Sequence, residues 1–155
     1  NYLKENNFYN KFIVQEYIIG FKKFGEIRIY WINEEYSYEA NTRDIGQDYE
    51  MIVTRVSDKK RLNKCIEIGK KVIENIPKIN INGHIVKPVM NRTDFACCLN
   101  NNKIASHDYY LNEIEHQDAG TFTNIPFNEN IKYPITIILA DAFVKKANEL
   151  FKINF

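Results

Sequence analysis

The stretch Asp58–Ile76 constrains the fold more than any other. Leu62, Cys65, Ile66, Gly69, Val72, Ile73 and Ile76 recur at helical spacing and make one apolar stripe. Lys60, Asn63, Lys64, Glu67, Lys71 and Glu74 lie largely on the other side. Ser57 is placed to cap the first turn, Asp58 suits the positive helix end, and Pro77 closes the far end. A helix that is apolar on one stripe only must lie against another layer.

The chain around it supplies strands. In Glu26–Ile32, Ile27, Ile29 and Trp31 share one face while Arg28 and Tyr30 share the other. Phe12–Ile19 reads as a preceding strand, with Gly20 and Gly25 bracketing a turn. Tyr36–Ala40 is an extension, Asn41–Gln47 a loop, and Tyr49–Val56 a further strand. Short connections between these strands predict an antiparallel meander. Beyond the helix, Asn82-Gly83 joins Ile79–Ile81 to His84–Val89 as a tight hairpin, because such a pair tolerates positive φ. Phe95–Leu99 and Ile104–Tyr110 form a second hairpin. Leu111–Gly120 reads as a polar loop or short helix, and Thr121–Phe127 as a strand. Pro134 opens a final helix, Ile135–Lys152, with Leu139, Phe143, Ala147, Leu150 and Phe151 on one face. The expected fold is α+β: a mainly antiparallel sheet with two principal helices packed on one face, in a single globular domain spanning residues 1–155.

A chain of 155 residues buries enough surface to fold without a disulfide or metal. No run approaches the roughly 18 apolar residues of a membrane span, and no signal peptide opens the chain. Cys65, Cys97 and Cys98 form no C-x-x-C pair; an odd set of thiols, two of them adjacent, points to the reducing cytoplasm. The glycines are scattered, so neither G-x-G-x-x-G nor a P-loop occurs, and G-x-S-x-G is missing too. No cofactor is therefore expected. No metal is expected either, because neither histidine nor cysteine spacing fits a closed tetrahedral site.

Charge patterning gives the candidate sites. From Asn33 to Met51 six acids face one base, and from Arg55 to Lys71 seven bases face two acids. The net charge of +1 hides this polarity. The acidic half interleaves carboxylates with tyrosines: Glu34, Glu35, Tyr36, Tyr38, Glu39, Asp44, Asp48, Tyr49 and Glu50. Tyrosines offer contact area and carboxylates steer association, so Glu34, Glu35, Tyr36, Tyr38, Glu39, Asp44, Asp48 and Glu50 are the candidate partner-binding residues. Two alternatives stand beside this. The basic helix 58–76 offers lysines to nucleic-acid phosphates. The segment 107–118 gathers His107, Asp108, Glu113, Glu115, His116 and Asp118, which suits acid–base work although it fits no standard zinc pattern. Cysteine catalysis lacks an activating partner that the sequence can place.

In size, in its missing catalytic motifs and in the acidic, tyrosine-bearing Glu34–Glu50 segment, the chain resembles the small immunity proteins of bacterial contact-dependent inhibition systems. The resemblance implies a non-enzymatic, cytoplasmic protein that binds a cognate toxin domain and occludes the basic active site of a nuclease. The near-neutral charge departs from the strongly acidic character of many nuclease inhibitors.

Overall fold

The computed structural model describes residues 14, 17–44, 51–99, 105–116, 120–122 and 135–152. The order of elements is α1 (Ile19–Phe24), β1 (Glu26–Ile32), β2 (Glu35–Asp44), β3 (Met51–Thr54), α2 (Lys59–Asn75), β4 (Ile79–Ile81), β5 (His84–Val86), β6 (Met90–Leu99), β7 (Ala105–Glu115) and α3 (Ile135–Lys152). Five strands form one sheet in the order β3-β2-β1-β6-β7, and every neighbouring pair is antiparallel. The β4–β5 hairpin stands apart as a small sheet. It turns at Asn82 and Gly83, both at positive φ, as the pair predicts. The α+β class and the mainly antiparallel sheet are the architecture of the protein.

The two long helices do not share a face, which corrects the expected packing. On one face Ile27, Ile29, Trp31 and Phe95 meet Leu62, Cys65 and Ile73 of α2. On the other, Tyr30, Ile32, Tyr38, Ala40 and Met90 meet Ile135, Leu139 and Ala142 of α3. The cause lies in β1, whose residues are buried on both faces from Ile29 to Ile32. A central strand with both faces apolar needs a layer on each side. Helix α2 approaches closely because Gly69 has no side chain: a Cβ there would lie 2.5 Å from Trp31. The Trp31 indole N–H meanwhile donates to Thr93 Oγ1 at 2.9 Å, which satisfies a buried donor.

Several boundaries also shift. In place of the expected turn bracketed by Gly20 and Gly25, Ile19–Phe24 is a short helix; of the expected Phe12–Ile19 strand half lies outside the described residues, and Val14, Tyr17, Ile18 and Ile19 are in no strand. Strand β2 runs on to Asp44 through part of the expected Asn41–Gln47 loop, because Asn41–Asp44 pair with Thr54–Met51. Strand β7 likewise continues to Glu115, since Glu113, Ile114 and Glu115 pair with Asp94, Thr93 and Arg92. Asp58, not Ser57, caps α2: its carboxylate accepts from the amides of Lys60 and Arg61 at 3.0 and 3.1 Å. Helix α3 has the expected bounds but buries Ile135, Leu139 and Ala142, leaving Phe143 and Phe151 exposed. The Thr121–Phe127 strand lies mostly outside the described residues, and Thr121 and Phe122 are in no strand.

Candidate functional site

Strand periodicity builds a charged floor on the α3 side of the sheet. Side chains two apart on a strand share a face, and three adjacent strands each carry such a charged pair there. These are Glu26 and Arg28 on β1, Arg92 and Asp94 on β6, and Glu113 and Glu115 on β7. In register, Arg28 faces Asp94, Asp94 faces Glu113, and Arg92 faces both Tyr30 and Glu115. Helix α3 covers the Tyr30–Ile32 end of this face. Toward Glu26 lies a groove of about 790 Å³, lined by Tyr17, Phe21, Lys22, Glu26, Arg28, Thr42, Arg43, Asp44 and Met51.

The geometry within the floor is close. Arg92 donates to Asp94 through two bonds, Nε to Oδ1 at 2.7 Å and Nη2 to Oδ2 at 2.6 Å. Both side chains are almost wholly shielded from solvent, at 4% and 0% exposure. Arg92 Nη1 also lies 2.9 Å from Glu115 Oε2, a charge contact without hydrogen-bond geometry. Its Nη2 lies 3.7 Å from Glu113. Arg28 pairs with Glu26 at 2.9 Å, and its Nε lies 3.9 Å from Asp94. Asn112, next to the irregularity in the β6–β7 register, donates to Glu26 at 3.0 Å. Tyr30 and Tyr38 stack with ring centroids 4.2 Å apart, and their hydroxyls donate to the carbonyls of Gly120 and Thr121. The Arg28 guanidinium lies over the Phe122 ring at 5.5 Å.

Four carboxylates and two guanidiniums share this space. Burial, and then the Asp94 charge, raises Glu26 above the ordinary carboxyl value of 4.5. Burial also raises Glu115, against the pull of Arg92. Burial likewise raises Tyr30 and Tyr38, so both stay neutral donors. Perturbed groups beside an open groove mark a functional-site candidate. Among the described residues no three His, Cys, Asp or Glu side chains converge as a metal-binding group.

The acidic segment is dispersed. Glu34 is held by Lys78 and Lys87, partners that also lower its pKa. Glu39 is fully buried on the opposite, α2 side, where Arg55 donates to it at 2.7 Å and Tyr36 donates through its hydroxyl. Tyr38 belongs to the α3-side core. Glu35, Tyr36 and Asp44 are exposed, while Asp48 and Glu50 lie outside the described residues. On the basic helix, Lys64 and Lys71 both pair with Glu67, and Arg61 pairs with Asp58 and lies over Phe24. From the 107–118 group the structure draws Glu113 and Glu115 into the floor, and sets His116 Nδ1 2.5 Å from Asn91 Oδ1. Asp108 is exposed, and Asp118 falls outside the described residues. Burial pushes the Cys65 thiol up to about 12 and raises that of Cys98. Glu26, Arg28, Arg92 and Asp94 were not singled out from the sequence. Their signal was there, in charged pairs two residues apart on segments expected as strands or lying next to them.

No protein-family model matches the chain, and no curated protein matches it. Among solved structures the fold is similar to that of D-cycloserine synthetase DcsG, with a TM-score of 0.50 and 11% identity. The match covers 85% of this chain and 41% of the synthetase chain. This chain therefore corresponds to about two fifths of that protein's length.

Proposed function

We propose that the chain is the sheet-and-groove portion of a synthetase-class enzyme, and that the groove beside Glu26 and Arg28 binds a nucleoside triphosphate. The observation that carries this is the buried Arg92–Asp94 pair, continuous through Arg28 with an open groove. A buried ion pair is weak evidence for stability, because desolvation offsets most of its attraction. Its contact with Arg28, which lines the groove, favours a role in holding charged substrate. The fold likeness to a synthetase supports the same class. Bond formation by a synthetase is uphill in water, so a phosphoryl donor is the natural co-substrate. Arg28, Lys22 and Arg43 suit its phosphate oxygens. Tyr17, Phe21 and Met51 offer the apolar surface a base requires. Asp94 fixes the guanidinium of Arg92, and Glu26 holds that of Arg28. Glu26, with its raised pKa, is the group suited to carry a proton. Free thiols and nucleotide use both agree with a cytoplasmic setting.

Calorimetric titration with Mg²⁺ and ATP tests the proposal. Arg28→Ala should weaken binding about tenfold or more, the size of a lost charge-assisted bond. Glu35→Lys, away from the groove, should leave it unchanged. A wild-type chain that takes up no ATP at millimolar concentration would sink the proposal.

A second reading keeps the protein as an immunity protein that neutralises a basic toxin domain, because Glu35, Tyr36 and Asp44 remain exposed on one strand. It predicts a tight protein complex that Glu35→Lys with Asp44→Lys disrupts. An unchanged complex would remove that surface from consideration.

A further inference from the structure

Helix α3 carries a second apolar face that its packing on the sheet does not use. Ile135, Leu139 and Ala142 point into the core. Ile137, Ala140, Val144, Ala147 and Phe151 lie on the outer side, and all five are exposed. Val144 is 59% exposed and Phe151 82%. Their spacing alternates three and four residues, which is the seam pattern of paired helices. A single apolar residue on a surface needs no partner, but a seam running along an 18-residue helix does.

We infer that this face is a self-association surface, on which α3 of one copy pairs antiparallel with α3 of a second copy. Two observations choose that occupant and that direction. The first is size alternation. Large Ile137, Val144 and Phe151 alternate with small Ala140 and Ala147. Antiparallel pairing sets Phe151 against Ala140 and Val144 against Ala147, and a two-fold axis repeats each contact. Parallel pairing in register would stack Phe151 on Phe151 and leave alanine layers empty. The second is charge. Asp141, Lys145 and Lys152 share one flank of the seam, while Thr136, Phe143 and Leu150 share the other. An antiparallel two-fold axis brings like flanks together, and in this register Asp141 of each copy comes within two residues of the level of Lys152 of the other. Parallel pairing would set the charged flank against the uncharged one.

A seam of this length covers a surface near the lower limit of about 1,000 Å² for a specific interface. The dimer is accordingly weak, with Kd on the order of 10⁻⁵–10⁻⁴ M.

Sedimentation equilibrium of the full chain from about 5 µM to 0.5 mM reads this directly. The expected result is a reversible monomer–dimer equilibrium that Val144→Glu weakens tenfold or more. Residue 144 is exposed, so that variant should melt like the wild type. Asp141→Lys should weaken association about threefold, the size of an exposed ion pair, and adding Lys145→Asp and Lys152→Asp should restore it. A chain that stays monomeric throughout overturns the inference. So does a dimer that Val144→Glu leaves intact, and so does an Asp141→Lys variant that associates as tightly as the parent.

Discussion

Arg92 and Asp94 are charged side chains almost wholly shielded from solvent, and Asp94 is the two-bonded partner of Arg92. With Asp94→Ala, a guanidinium at 4% exposure loses its two-bonded carboxylate and keeps Glu115, Glu113 and the Tyr30 hydroxyl. The variant should lose about 3 kcal/mol in urea denaturation, at the low end for breaking a buried pair. Replacing both partners together, Arg92→Met with Asp94→Leu, should recover most of that loss while abolishing ligand binding. A double variant that still binds would show that the pair serves only the fold. Glu26 adds a pH dependence of known sign. Its folded pKa is raised above 4.5, so the folded state holds the proton more tightly than the unfolded chain. The stability this contributes is present below the unfolded value and is lost as pH rises through the folded value. Glu26→Gln keeps a neutral side chain throughout. Its stability relative to wild type should therefore rise as the pH is raised above 4.5. A flat difference across that range would show that Glu26 is not desolvated.

At the scale of elements, local chemistry decided what the sequence made legible. The β1 alternation, the Asn82-Gly83 turn and the bounds of α3 could all be read, because each depends on residues within one short window. The cap of α2 was missed by one position. Ser57 and Asp58 are both good caps, and only the backbone decides which carboxylate or hydroxyl faces the free amides. Asp58→Ala should therefore cost about 1 kcal/mol in a thermal melt, and Ser57→Ala much less. The reverse order would restore the original cap. The ends of β2 and β7 were lost for a different reason. Asn41–Asp44 and Leu111–Glu115 are too polar to read as strand alone, and they extend because partner strands pair with them. Helix α3 presents two apolar stripes, so the sequence could not say which one the sheet would bury.

At the scale of the whole molecule, the candidate site was illegible because it exists only after the sheet is assembled. Glu26 and Arg28 come from a strand far ahead in the chain of the β6–β7 hairpin that carries Arg92, Asp94, Glu113 and Glu115. The acidic segment stood out for the opposite reason, since its charges are contiguous. Folding then separates them, turning Glu39 into the α2-side core, tying Glu34 to two lysines and leaving Glu35 exposed. Helices on opposite faces make the groove possible, because α3 covers only one end of its face and leaves the other open. No helix among the described residues is long and apolar enough to cross a membrane.

Ligand binding in this groove can be followed residue by residue. Backbone amide shifts recorded by NMR while Mg²⁺ and ATP are titrated into the full chain test it most directly. Shifts should concentrate at Lys22, Glu26–Arg28 and Thr42–Asp44 and be reduced by Arg28→Ala. Glu35–Ser37 and the exposed lysines of α2 should stay still. Shifts confined to Lys59–Lys71, or none anywhere at millimolar ATP, would contradict it.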